Sequence, residues 1–108
     1  MEKKKEPRIF VAMVEKELSI EKVEQTVCSY FGVRRESLYE KQGKHIEARA
    51  RHFLWYILHA HCGMSNAQIA RKYIRSERAT LRFRSDVKFL IENVSGERKI
   101  YEEIIKRL

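Results

Sequence analysis

The chain has 108 residues, 44% of them hydrophobic, and a formal net charge of +8. This length fits one domain with one modest core, and the longest apolar runs, of six residues, are far shorter than the ~20 that span a bilayer. With two cysteines and no recognisable signal peptide, we expect a cytoplasmic protein with reduced thiols, no disulfide scaffold and no membrane partner.

The positive charge is concentrated in the middle of the chain. Residues 44–88 hold ten Lys or Arg against three acidic residues, whereas the segments on either side are nearly neutral. A charge that served solubility alone would not need to be concentrated in this way. The distribution therefore indicates a surface that meets a polyanion, and nucleic acid is the expected partner.

The sequence predicts a helical fold, and its N-terminal third is predicted to contain the first two helices. Few glycines, one proline and apolar residues at helical spacing indicate an all-α fold of about six helices. Residues 1–7 are predicted to be a charged, disordered start, and a single compact domain is predicted over 8–108. Its first two helices cover about 8–18 and 20–31. Gly32 is a natural residue to end the second of them.

The remaining elements are also helical in this prediction. A short helical turn over 36–39 and a loop over 41–44 precede a helix over about 45–61, which Gly63 ends. Near the C-terminus the dipeptide Ser95-Gly96 is expected to break the chain. A last helix then covers 97–108, with three residues directed inward. These are Ile100, Ile104 and Leu108.

Residues 65–93 carry the pattern of a helix-turn-helix. Ser65 and Gln68 form a capping box at the start of a short helix, and Ser76 offers an N-cap for a longer helix that reaches about Asn93. Because two helices joined so closely cross steeply, the start of the second projects outward, as in proteins that read the major groove. The predicted core stripe of the second helix consists of Thr80, Phe83, Val87, Leu90 and Val94.

From Ile20 to about Ile91 the chain resembles the C-terminal, helix-turn-helix DNA-binding domain of the bacterial chromosomal replication initiator DnaA. Residues 27–33 with 36–38 are similar to the family's first helix and the short helix after it. Residues 48–52 resemble its Ala-Arg-x-Arg-Gln signature, and 62–70 resemble its Thr-Gly-Leu-Ser-Leu-Pro-Glu-Ile-Gly segment. The resemblance implies a compact, Trp-repressor-like helical domain whose partner is double-stranded DNA.

The departure from this family lies in its base-reading segment, Phe-Gly-Gly-Arg-Asp-His-Thr-Thr-Val. An ungapped alignment places residues 77–80 on Asp-His-Thr-Thr, whereas a turn shorter by one residue places Arg75 and Ser76 on Arg-Asp. The shorter turn is favoured because the ungapped register puts two basic residues into the core. In either register the family's base-reading set is lost. We therefore do not expect the family's usual origin box to be recognised.

Candidate DNA contacts come from the matched region. The resemblance implies that Arg49 enters a minor groove, where negative potential is concentrated. In a major groove, arginine can bind O6 and N7 of guanine together, and a carboxylate can accept from N4 of cytosine. The candidates for base or groove contact are Arg49, Arg75, Ser76, Glu77, Arg78 and Arg82. The candidates for phosphate contact are Arg51, Ser65, Asn66, Lys72, Arg84 and Lys88.

Metal binding and enzymatic catalysis are two other functions on which the sequence bears. His45, His52 and His59 follow one another at seven-residue intervals, which is about 10 Å along a helix and too far for one ion. We therefore expect no metal. Because the chain has no Gly-rich phosphate loop and no pairing of a nucleophile with a base, we also expect no nucleotide, no cofactor and no enzymatic activity.

The predicted function is binding of double-stranded DNA by a free-standing domain that recognises an origin or operator in replication or its regulation. A protein partner would then supply the other functions of an initiator. The alternative is a protein-interaction domain, or a transcriptional or mobile-element regulator, that kept the scaffold and lost base reading. The arginines of 75–82 favour the first hypothesis, since a mere scaffold has little reason to keep them.

Overall fold

The computed structural model describes residues 20–40 and 45–108. The predicted start over 1–7, the helix over 8–18 and the loop over 41–44 lie outside the described residues. Everything described is helix or connection, without a strand, so the all-α prediction is confirmed. Residues 20–31 form α1, and the later elements are a 3-10 helix over Arg35–Tyr39, α2 over His45–Cys62, α3 over Asn66–Tyr73, α4 over Glu77–Asn93 and α5 over Ser95–Arg107.

The end of α1 follows from one glycine. Gly32 has a φ of 71°, in the left-handed region that glycine adopts without steric cost. Its N–H and that of Val33 donate to the Cys28 carbonyl at 2.8 and 3.0 Å, which satisfies the end of the helix. The predicted end of this helix is therefore confirmed, and the chain turns directly into the 3-10 helix.

The core is built around α2, which contacts the 3-10 helix, α3 and α4. Apolar residues of α2 are buried over most of its length, and Trp55 is buried among them. Each of the other helices adds residues to the same cluster, among them Val27, Ile69, Val87 and Ile104. One continuous core thus fixes the positions of α3 and α4 relative to α2.

Three predictions about the C-terminal third are wrong. Of the predicted stripe of α4, Leu90 is 37% and Val94 is 42% exposed, while Ile91 is buried, because the buried stripe continues from Val87 by a step of four residues. The helix break is at Val94, which is extended (φ −123°, ψ 114°), so α5 begins at Ser95. Leu108 lies beyond the end of α5 and is exposed.

Candidate nucleic-acid interface

α3 and α4 form the predicted helix-turn-helix, and side-chain caps define both helix starts. The Ser65 hydroxyl accepts from the Gln68 N–H at 3.1 Å, while the Gln68 side-chain oxygen accepts from the Ser65 N–H at 2.8 Å. The Ser76 hydroxyl accepts from the Ala79 N–H at 3.0 Å. Both predicted caps are confirmed. Because these hydroxyls satisfy their own helices, Ser65 and Ser76 could meet DNA only in addition to capping.

The turn between the two helices is made by Ile74. Its backbone is left-handed, with φ 56° and ψ 57°, and its N–H donates to the Ala70 carbonyl. The Arg75 N–H donates to the same carbonyl at 2.9 Å. This left-handed residue ends α3, and α4 begins three residues later at Glu77. The conformation of Ile74 is unfavourable for a β-branched residue, for which the left-handed region costs about 1–2 kcal/mol.

The outward face of α4 carries cations. Arg78, Arg82 and Ser85 are exposed at helical spacing that puts them on one face, opposite the buried Thr80 and Val87. Arg82 lies 5.9 Å from the centroid of the Phe83 ring. Within 20–40 and 45–108, neither guanidinium has a carboxylate partner. Two unneutralised arginines therefore stand on the projecting part of the second helix.

Glu77 also lies at this projecting end. Its side chain is exposed in the first turn of α4, where the positive end of the helix dipole stabilises a carboxylate by a few tenths to about 1 kcal/mol. The helix dipole alone therefore explains why an acidic residue is favourable at the position of Glu77. Its position nevertheless leaves it free to meet a base.

The side chains predicted to contact phosphate differ in how strongly partners within the protein hold them. Arg84 Nε donates to Asn66 Oδ1 at 3.2 Å, which joins α4 to the start of α3. Lys72 Nζ lies 3.8 Å from a buried carboxylate of α1. Lys88 Nζ is 3.9 Å from Glu92, with both side chains 58% exposed. Exposed pairs of this kind are weak, so Lys88 stays available to a phosphate.

Arg75 is turned toward the protein instead of outward. Its Nη1 donates to the Tyr73 and Ile74 carbonyls at 2.9 and 3.3 Å, and its Nη2 donates to the Glu40 carbonyl. The guanidinium also lies 5.7 Å from the centroid of the Trp55 ring, and burial lowers its pKa. This arginine therefore braces the turn. The structure gives it a different use from the predicted contact with bases.

The predicted phosphate contact of Arg51 needs correction. Arg51 is 5% exposed, and its Nη1 donates to the Ser37 carbonyl at 2.9 Å, which ties α2 to the 3-10 helix. Burial lowers the pKa of this guanidinium. A phosphate could not reach it without unpacking that junction.

Arg49, which the resemblance assigns to a minor groove, is held by α5. Its Nη2 donates to Glu97 Oε1 at 2.7 Å, and the two side chains are 29% and 22% exposed. The guanidinium also lies 5.8 Å from the ring centroids of both Phe31 and Phe53. A half-buried ion pair thus joins α2 to α5, and the pair would have to open before Arg49 could enter a groove.

Glu24, which the sequence did not single out, anchors α3. Its carboxylate is 1% exposed and accepts from Arg35 Nη2 at 2.5 Å, from the Tyr39 hydroxyl at 3.0 Å and from the Tyr73 hydroxyl. Burial alone would raise the pKa of Glu24, but these hydrogen bonds and the charge of Lys72 outweigh it and hold the pKa below its ordinary value. The first helix of the helix-turn-helix is thereby fixed to α1.

His52 packs between α2 and α4. Its ring stacks on that of Phe83, with centroids 4.2 Å apart and planes within 7°. Burial, helped by the positive charge of Arg51, lowers the pKa of His52 to about 4. The neutral imidazole is therefore part of the contact that holds α4 in place.

Replacing His52 with glutamine should make the domain less sensitive to mild acid. In the unfolded chain a histidine takes up its proton near pH 6.5, whereas in the folded chain His52 does so near pH 4. Its contribution to stability is therefore complete above about pH 6.5 and is lost as the pH falls toward 4. Between about pH 7.5 and 5 the parent should lose about 1–2 kcal/mol more than His52→Gln. Urea unfolding at both pH values measures this, and equal losses would contradict it.

His59 and His61 each have a hydrogen-bond partner within the protein. His59 Nδ1 lies 2.8 Å from the Met64 carbonyl oxygen, and His61 Nε2 pairs with the Tyr101 hydroxyl. Across the described ranges no group of three or more His, Cys, Asp or Glu side chains is placed to hold a metal ion. In the same ranges no helix combines the length and the apolar character needed to cross a membrane.

Comparison with known proteins identifies the family. Residues 20–82 match the family model described as the bacterial dnaA protein helix-turn-helix, a span that includes α1, α2, α3 and the first turns of α4. A search of curated proteins finds no match to the chain. Because the matched span is more than half of the 108 residues, the chain belongs to the bacterial DnaA helix-turn-helix family, a family of DNA-binding domains.

Proposed function

We propose that this domain binds double-stranded DNA in a sequence-specific manner, with the first turns of α4 in a major groove. The observation that carries the proposal is the pair of exposed arginines, Arg78 and Arg82, on the projecting end of the second helix, without a carboxylate partner among the described residues. In helix-turn-helix proteins this is the part of the motif that meets base edges. Unpaired guanidinium groups are the side chains best suited to it.

Base reading and phosphate binding are divided along α4 in this proposal. Arg78 and Glu77 stand in the first turn, where they would reach base edges, and Arg82 follows one turn later. Lys88 lies further along the helix and would contact the backbone of the DNA. On α3, exposed Arg71 adds a cation that the sequence reading did not select. Asn66 and Ser65, at the start of that helix, would meet a phosphate.

The biological role that we propose is recognition of an origin or operator, in replication or its regulation, in the cytoplasm. Family membership and the outward arginines support it. Binding alone suffices for this role, without catalysis, metal or nucleotide, and a protein partner would supply the steps that a bound initiator must perform beyond recognition. Loss of the family's base-reading residues, seen in the sequence of 75–80, supports a target other than the usual origin box.

Arg49 enters the proposal as a conditional contact. Its guanidinium would join the minor groove only after the 2.7 Å contact with Glu97 opens. The gain from a narrow, electronegative groove must then exceed the loss of a half-buried ion pair. Duplexes with A·T-rich flanks would meet this condition best.

A protein-interaction role is the second candidate, and one observation favours it. Phe89, Leu90 and Val94, at the end of α4, are large apolar side chains that are 62%, 37% and 42% exposed, as at surfaces that bind other proteins. Selection of bound sequences from a random duplex pool separates the two candidates. An enriched motif supports DNA reading, whereas a flat pool without salt-sensitive binding supports the protein interaction.

Replacing Arg78 with alanine should relax the choice of one base pair. Loss of a bidentate contact should cost about 1–3 kcal/mol on the preferred site and leave non-specific binding nearly intact. Lys88→Ala, further along the same helix, is the matched control and should weaken all duplexes about equally. Both variants must melt like the parent, because a lost fold would mimic a lost contact. If Arg78→Ala keeps the parent's ranking of sequences, base reading lies elsewhere, and Arg82 is the next candidate.

A further inference from the structure

Ile74 combines two features that stability does not explain. It is a β-branched residue in the left-handed region, with φ 56°, a conformation that glycine or asparagine adopts far more readily. It is also 66% exposed, the largest value among the exposed apolar side chains of the described residues. A residue that is both strained and unpacked at the turn of a helix-turn-helix points to a function.

The fold gains nothing from this particular side chain. The reversal of the chain rests on backbone hydrogen bonds from Ile74 and Arg75 to the Ala70 carbonyl, and these could form with any residue that tolerates the conformation. Ile74 is not part of the hydrophobic cluster or of the partly buried side chains packed against it. Its apolar atoms are therefore presented to something outside the domain.

The surroundings of Ile74 indicate what that partner is. The side chain borders an open concavity of about 610 Å³ between α3 and the start of α4, lined by Ala70, Arg71, Ile74, Arg75, Ser76 and Ala79. Small apolar residues thus lie beside basic ones, next to the helix end that we place in a major groove. The apolar group that base edges present in that groove is the C5-methyl of thymine.

We infer that Ile74 contacts a thymine methyl group and thereby contributes to the choice of DNA sequence. This inference rests on the proposed function and deepens it, because it names one feature of the target site. The Ile74 side chain would lie against a methyl group at the edge of the groove, while Arg78, in the first turn of α4, would reach base edges. The strain at the turn is retained because a smaller residue would lose the apolar contact.

Thymine-to-uracil substitution tests the inference, since it removes only the methyl group. Each thymine of a duplex selected by the parent is replaced in turn, and affinity is measured for the parent, Ile74→Gly and Ile74→Val. The parent should lose about fourfold at one thymine, equivalent to the roughly 0.8 kcal/mol of one buried methylene-sized group. Ile74→Val, which keeps a branched apolar side chain, should retain most of that loss. Ile74→Gly should lose nothing there.

Thermal unfolding keeps this test separate from damage to the fold. Because glycine relieves the strain of the turn, Ile74→Gly should melt at the parent's temperature or roughly 2–6 °C above it. The inference is overturned if each thymine-to-uracil substitution changes the affinity of the parent and of Ile74→Gly by the same factor. It is also overturned if no such substitution changes the affinity of the parent. In both cases duplex binding persists and the proposed function stands. A parent that binds no duplex removes the proposed function and this inference with it.

Discussion

Raising the salt concentration from about 50 to about 200 mM should weaken the complex with duplex DNA by about 40-fold. Besides Arg78, which is assigned to base edges, three cations on α3 and α4 are exposed without a strong partner among the described residues: Arg71, Arg82 and Lys88. Three neutralised phosphates correspond to a slope of about −2.7 in log K against log[salt]. Fluorescence anisotropy with a labelled duplex at several salt concentrations measures this slope.

The slope also reports whether the internal cations are released on binding. Removing Arg71 and Lys88 together should make the slope shallower by about 1.8, and the matched control Lys99→Ala, which removes an exposed cation of α5, should leave it unchanged. A slope steeper than about −5 would mean that cations with internal partners, which include Arg49, Arg75, Lys72 and Arg84, leave those partners to bind phosphate. A slope near −1 would argue against the charged face of α4 as the contact surface.

Replacing Glu24 with glutamine should destabilise the fold by about 2–4 kcal/mol. The change leaves the Arg35 guanidinium without its 2.5 Å charged partner and leaves the buried Tyr73 hydroxyl with a weaker acceptor. Glu21→Gln is the matched control, because Glu21 is 73% exposed and lies 3.8 Å from the same Arg35. That variant should change stability by less than about 0.5 kcal/mol. Urea unfolding near pH 7 provides the comparison.

The pH dependence adds a second test of Glu24. Because its pKa is held below the ordinary value, its contribution to stability is present above about pH 4.5 and is lost as the pH falls through the lowered pKa. The difference between the parent and Glu24→Gln should therefore shrink in stronger acid. If the two chains unfold with equal free energies near neutral pH, the hydrogen bonds around Glu24 do not hold α3.

The sequence by itself determined the elements that rest on local chemistry. Ser65 and Ser76 begin their helices, and Gly32 ends α1, as predicted. Each of these boundaries depends on hydrogen bonds between residues three to five positions apart, so a short segment contains all the information. The family could be recognised from the motifs in 20–91 for a similar reason, because the order and spacing of these motifs along the chain carry the resemblance. Exposure of Arg78 followed from helical periodicity alone.

Only the tertiary structure decided which cations of the basic stretch are held by partners inside the protein. Arg51, Arg75 and Arg49 lie in the same basic stretch, yet they donate to Ser37, Glu40 and Glu97, which are 14, 35 and 48 positions away. A charge pattern cannot show whether a distant carbonyl or carboxylate will reach a guanidinium first.

The partners of the acidic residue Glu24 likewise could not be predicted from the sequence. Its carboxylate falls between Val23 and Val27 on the buried face of α1, a position at which a charge signals a buried partner. That partner, Tyr73, lies 49 positions along the chain and becomes a neighbour only when α3 packs against α1. Burial of a charge is decided by such packing, since its cost in free energy depends on hydrogen bonds that the folded chain alone supplies.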